Sequence, residues 1–123
     1  MNTEEVRLSV PALPEYVRLA RLTAASLASR LGFSFDDVED LRIAVDELCY
    51  LLVGPEGRPG HITLRYSLDG TGLAISGQGP GADSAVVVGK LSEQILAAVV
   101  DDYQVSAGEG QVTFEMVRRP HGA

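Results

Sequence analysis

Asp40 and Glu47 stand seven residues apart in the stretch DLRIAVDELCYLLV, residues 40–53. In a helix that spacing sets both carboxylates on one side, two turns apart. A carboxylate inside a long, strongly apolar helix asks for an explanation. On amphipathic helices the ordinary reading is a wetted face. Arg18 and Arg21 are one turn apart and offer a cationic pair on a second helix. The run GQGPG at 77–81 invites comparison with a phosphate cradle. No GK[ST] follows it, which excludes a Walker-type loop, and three glycines in five residues more often make a loop of unusual dihedrals. Cys49 is the single cysteine. It has no Cys or His partner at ligand spacing, and His61 and His121 stand alone, so no metal site is expected. Cys49 itself reads as a small buried apolar residue.

The elements that must position these residues follow from periodicity. Val6, Leu8 and Val10 alternate with polar residues as a first strand, which Pro11 ends. From about Pro14 to Leu31 the pattern is helical, with Val17, Ala20, Ala24, Leu27, Ala28 and Leu31 as the buried stripe and Gly32 as the stop. Ser34 opens the second helix, Asp37 stands where a capping-box acid would, and Phe33 and Val38 are placed as a hydrophobic staple. The apolar stripe of this helix is Leu41, Ala44, Val45, Leu48 and Leu52, and Gly54-Pro55 ends it.

A second strand over Ile62 to Leu68, a turn at DGTG and a third strand from Leu73 to about Ser76 follow. Residues 77–83 are expected as a flexible loop, and the order of 77–90 is left open, including the short apolar run Val86 to Val88. Ser92 is the expected N-cap of a helix from about Glu93 to Asp102. Tyr103 to Ala107, a turn at Gly108-Glu109-Gly110 and a last strand through Val112, Phe114 and Met116 make a closing hairpin. The tail RRPHGA is expected to fray, from 120 to 123 at the least. The order β-α-α-β-β-α-β-β predicts an α/β two-layer sandwich, with helices on one face of a mixed, mostly antiparallel sheet. Residues 1–119 are expected to form one domain.

The chain has 123 residues, 46% hydrophobic and 22% charged, enough to build one packed core. The net charge is −7, with no basic tract, which argues against direct nucleic-acid binding and favours a basic patch on a protein partner. The N-terminal MNTEEVRLSV does not read as a signal peptide, and no apolar run is long enough to span a membrane. A cytoplasmic protein is expected.

This order of elements, with an acid in the second long helix, resembles the GHKL (histidine-kinase-like) ATPase fold. Within it the chain resembles the anti-sigma factors of the RsbW/SpoIIAB type, which are also serine kinases. LARLTAASLASRL at 19–31 is similar to the first helix of that family, and DLRIAVDELCYLLV to its N-box helix DxxxAVxEaxxNa. AISGQG at 74–79 sits where the family has a strand followed by DxG, and ILAAVVDDYQVSAGEGQVTFEMVRR at 95–119 resembles its closing helix and hairpin. The actinobacterial members that restrain SigF look closest, because they read DLRLAVDE where this chain has DLRIAVDE.

The resemblance implies that Glu47 is the counterpart of the family's general base. It implies equally that three parts of the nucleotide site are altered. The N-box asparagine that holds magnesium is replaced by Leu51. The adenine-binding aspartate is replaced by Gly77, the first glycine of a motif that ends at Gly79. The GxGL lid has no counterpart in VVVGKLSEQ. Glu47 is then a vestigial base, and neither ATP nor magnesium is expected unless the degenerate site still works. Arg21 matches a family arginine that contacts both the sigma factor and the competing anti-anti-sigma protein, with Arg18, Glu15 and Tyr16 beside it. Arg21→Glu is expected to weaken that contact with little change in melting temperature. The implied function is an anti-sigma factor holding a stress or sporulation sigma factor, released by a STAS-domain anti-anti-sigma partner. The family commonly dimerises through the sheet edge and first helix, so a homodimer is expected. The alternatives are a divergent ATP-dependent serine kinase and a degenerate ATPase-like signalling adaptor.

Overall fold

The computed structural model describes residues 4–81 and 88–121. Its elements run β1 Glu5–Pro11, a 3-10 turn Pro14–Tyr16, α1 Val17–Arg30, α2 Phe35–Val53, β2 His61–Asp69, β3 Gly72–Pro80, α3 Lys90–Val99, β4 Asp102–Gly108 and β5 Gln111–Arg118. The expected order of helices and strands is present. The helices lie on one face of a five-stranded sheet of order β1-β2-β3-β5-β4.

Every pairing in that sheet is antiparallel, so the expectation of a mixed sheet is corrected. The α3 crossover does bring β4 back in the direction of β3. A parallel pair would result if they were neighbours, but β5 lies between them and pairs antiparallel with both.

The first helix begins with a 3-10 turn rather than as α-helix from Pro14. Ala20, Ala24 and Ala28 are fully buried, while Val17, Leu27 and Leu31 pack at the margin of the core. Such small residues let α1 lie close against its neighbours. The Tyr66 hydroxyl, from β2, donates to Ala20 O at 2.9 Å and ties α1 to the sheet. Burial pushes that phenol well above its ordinary pKa, so it stays a donor.

The second helix starts as expected. Ser34 Oγ accepts from the Asp37 N–H at 3.1 Å, and the Asp37 carboxylate accepts the Ser34 N–H at 3.4 Å. Leu41, Ala44, Val45, Leu48 and Leu52 are all fully buried against β3 and β5. Burying each large aliphatic side chain contributes roughly 1.5–3 kcal/mol, so this one helix face carries much of the core. At the far end Arg58 Nη1 donates to Leu51 O, Leu52 O and Pro80 O at 3.1, 2.9 and 3.2 Å. One guanidinium thus satisfies helix-end carbonyls and anchors the end of β3 to them.

Three local expectations are corrected. β3 does not stop at Ser76. It pairs with β2 as far as Gln78 and with β5 as far as Pro80, so residues 77–80 are strand, and 82–83 lie outside the described residues. Neither Gly77 nor Gly79 has a positive φ. The α3 helix begins at Lys90 behind an extended Gly89, with Ser92 inside its first turn, and ends at Val99. Of the run at 86–88 only Val88 is described, and it packs against the core. The tail is held as far as His121, whose backbone N–H donates to both Asp37 oxygens at 3.1 and 3.0 Å.

Candidate functional site

Two groups of sequence-selected residues fall in different places. The first lies where α2 passes over β3. Glu47 and Leu51 are one turn apart on α2, and both are half-buried. Glu47 makes no hydrogen bond or ion pair with another described residue. Leu51 adds its side chain to the margin of the core and carries no side-chain oxygen. Below them, Gly77 and Gly79 are on the helix-facing side of β3. A Cβ on Gly77 would lie 2.5 Å from Phe114 Cε2 and 3.0 Å from Leu64 Cδ2, and one on Gly79 would lie 2.7 Å from Ile62 Cγ2. Interior packing leaves no slack for such approaches. The two glycines therefore answer to neighbouring side chains, above all the Phe114 ring, and not to turn geometry. Asp40, the other carboxylate of the pair, points to a different role: its Oδ2 lies 3.2 Å from Arg118 Nη2.

The second group surrounds a cleft of about 500 Å³ where the 3-10 turn meets α1 and α2. Glu15, Arg18 and Arg21 line it, joined by Asp46 and Tyr50 from α2. Arg21 Nη1 holds Asp46 Oδ1 and Oδ2 at 2.9 and 3.1 Å, while its Nε is buried without a hydrogen-bond partner. Both side chains of the pair remain partly exposed, so the pair contributes at most about 1 kcal/mol to stability. Arg18 is exposed and has no described partner. Tyr16 is outside the lining, though partly exposed on the neighbouring surface. The expected cluster of Arg18, Arg21 and Glu15 is therefore brought together. Asp46 and Tyr50 were not singled out in the sequence, although Asp46 precedes Glu47 on the same helix. Cys49 lies beneath, fully buried, and burial, with the Asp46 charge adding to it, pushes its thiol up to about 12. A thiol held that firmly protonated is no nucleophile.

A third cluster was missed. Arg118, at 3% exposure, donates from Nη2 to Asp37 Oδ1 at 2.6 Å and from Nη1 to Val99 O at 3.1 Å. Its Nε is buried without a partner. Asp101 accepts the Arg119 N–H at 2.6 Å, and His121 Nε2 lies 2.8 Å from its Oδ1. The signal was available: Val112, Phe114 and Met116 alternate inward, and the next inward position is Arg118. Among the described residues, no group of three or more His, Cys, Asp or Glu side chains is arranged to hold a metal ion.

A strand-helix-helix-strand-strand-helix-hairpin order over an antiparallel sheet, with an acid midway along the long central helix, defines a known class of domain. The family described as histidine kinase-like ATPase domain matches residues 10–116, and the chain belongs to it. Its relatives include proteins named serine-protein kinase RsbW. The one from Bacillus velezensis is 29% identical over 143 positions, covering 98% of this chain and 89% of that protein. The one from Bacillus subtilis is 40% identical over 70 positions, covering 54% of this chain and 44% of that protein. The chain thus spans less than half of the Bacillus subtilis relative in that alignment. Among solved structures, the RsbU and RsbW domains of Rv1364c from Mycobacterium tuberculosis superpose with a TM-score of 0.73 over 94% of this chain and 32% of that one, at 17% identity. That likeness is one of fold.

Proposed function

We propose that this chain is an anti-sigma factor that holds a stress or sporulation sigma factor by covering its surface. A competing STAS-domain anti-anti-sigma protein releases it. The observation that carries the reading is the alignment with the RsbW kinase of Bacillus velezensis over 98% of this chain. Partner contact is assigned to the cleft of Glu15, Arg18 and Arg21, with Tyr16 at its margin, and to the neighbouring α2 residues Asp46 and Tyr50. Two copies act together as a homodimer, in the cytoplasm and without nucleic acid. No described helix is long and apolar enough to cross a membrane. Residues 1–119 act as the functional unit.

The residues at the family's nucleotide positions do not fit ATP and magnesium. Leu51 offers no oxygen to a hard cation. A carboxylate at position 77 would need the space that the Phe114 ring fills. Phosphoryl transfer rests on positioning and charge neutralisation, so Glu47 alone cannot support it. The proposed exchange of partners is therefore one of competition, without phosphorylation by this chain. The reading is tested by co-purification with candidate sigma factors. Wild-type protein retains one, and Arg18→Glu loses it at least tenfold with no change in melting temperature. Failure of every sigma factor to bind would overturn the reading. A second reading, a divergent serine kinase, is favoured by the name its relatives carry and by the retained Glu47. Phosphate transfer from ATP to an anti-anti-sigma serine would establish it.

A further inference from the structure

Where α1 stops, helix and sheet do not close over the core. A cleft of about 160 Å³ opens between the last turn of α1, the start of β1 and the adjoining ends of β2 and β3. Val6, Leu27, Leu31, Leu68 and Leu73 form its walls. Val6 and Leu68 are on the helix-facing side of the sheet, in step with the buried Leu64 and Tyr66, yet they are 39% and 41% exposed. For Leu68 this is unexpected, because β2 is an interior strand and its inner face should be covered. Tyr66 also lines the cleft, but its hydroxyl is committed to Ala20 O. The cleft is thus a gap in the core's own packing, and its walls forgo contacts on one side.

Two charges share the lining. Glu4 precedes β1, and Arg30 belongs to the last turn of α1. Both are exposed, and neither has a hydrogen bond or ion pair with another described residue. They are opposite in sign and do not meet each other. Glu5 and Arg7 alternate with Val6, so they point to the other face of β1, where they bond one another. The cleft therefore offers an apolar hollow with one carboxylate and one guanidinium beside it.

We propose that this cleft binds a free amino acid with an apolar side chain, of the leucine or phenylalanine type. Its size sets the limit. A dry cavity of about 150 Å³ takes one benzene, so this one admits a single such side chain. Sites for drug-sized ligands are larger, at about 300–1,000 Å³. The side chain covers Val6 and Leu68, the α-carboxylate meets Arg30, and the α-ammonium meets Glu4. The head group stays in water, where ion pairs are weak, so burial of the side chain supplies most of the affinity and binding is millimolar. The site is separate from the arginine cleft, which is at the other end of α1. The inference goes beyond the partner exchange proposed above and does not depend on it.

A heteronuclear NMR titration of the full chain tests it. L-Leucine and L-phenylalanine shift the amide signals of Val6, Leu27, Leu31 and Leu68 saturably and leave those of Arg18 and Tyr50 in place. Glycine, without a side chain, produces no such shifts. Isocaproate, which is leucine without its ammonium, and isoamylamine, which is leucine without its carboxylate, each bind at least fivefold more weakly. Glu4→Gln removes the preference for leucine over isocaproate, and Arg30→Gln removes the preference over isoamylamine. Both positions are exposed, and circular dichroism confirms that the variants fold. Equal responses to glycine and leucine overturn the proposal. So do undiminished binding of isocaproate or isoamylamine, a preference that survives the matching substitution, or shifts confined to another part of the chain. No response to any of these ligands overturns it as well, including the case in which a second copy already covers the cleft.

Discussion

At the scale of single residues, Gly77 shows how a motif position acquires a packing role. Its missing side chain is the space into which Phe114 fits, with ring carbons 2.5 and 2.8 Å from where a Cβ would stand. Gly77→Asp is therefore expected to destabilise the fold by about 1–3 kcal/mol through overpacking, before any cost of burying a charge. Combining it with Phe114→Ala should cost less than the sum of the two single changes, because each relieves the other. Urea denaturation of the four proteins checks this, and strict additivity would show that the two positions are independent. The arginine cleft alters an expectation as well. Because Arg21 faces Asp46, a glutamate at 21 would set two carboxylates together and confound partner loss with local repulsion. Arg18, with no described partner, gives the cleaner variant.

At the scale of elements, the sequence was most legible where periodicity and capping agreed. The α2 helix was readable from its first turn to its last, because Ser34, Asp37, the apolar stripe and Gly54 all pointed to one answer. What was hidden depended on partners distant along the chain. β3 continues through two glycines because β2 and β5 hold its backbone on both sides, and no local signal carries that. Asp37 likewise looked like a cap and is also the acceptor for Arg118, 81 residues away. Asp37→Ala would strip a buried guanidinium of its closest counter-charge and is expected to cost about 3–5 kcal/mol. The paired change Asp37→Leu with Arg118→Met should cost much less, since neither charge is then left uncompensated. Thermal melts of both distinguish these outcomes. Of the candidate site, residue types at the right spacing could be read, but their grouping around one cleft could not, because it depends on how α1 crosses α2.

Nearby, Asp101 links this corner to pH. Partial burial pulls its carboxyl up, but the Arg119 N–H, the His121 ring and the Arg118 charge together hold it below its ordinary value. A carboxyl depressed in the folded state stabilises above its unfolded pKa and loses that contribution as pH falls through its folded one. Asp101→Asn should lower stability at neutral pH and flatten the acid limb below about pH 4, so that the two profiles converge in strong acid. An unaltered acid limb would show that these contacts have no energetic weight.

At the scale of the whole molecule, the chain keeps the family's framework, with Leu51 packed at the margin of the core and the Phe114 ring filling the space beside Gly77. Linkage gives that statement a measurement. A ligand that binds only the folded state must raise its stability, so millimolar ATP with magnesium is expected to leave the melting temperature unchanged. A rise of several degrees would instead favour the kinase reading and require other residues to supply the site.

The placement of β5 has a consequence for how the fold comes into being. It is the last strand in chain order, yet it is an interior one, joining β3 to β4 and presenting Phe114 and Arg118 to the core. A ribosome making this chain releases β1 through β4 before the strand that unites them. Until β5 emerges, β4 has no neighbour to pair with and β3 presents an open edge. Any nascent species that persists in that interval exposes strand edges to other chains. Vectorial synthesis therefore gives this domain an all-or-none finish, in which the final hairpin converts a three-stranded fragment into the complete sheet.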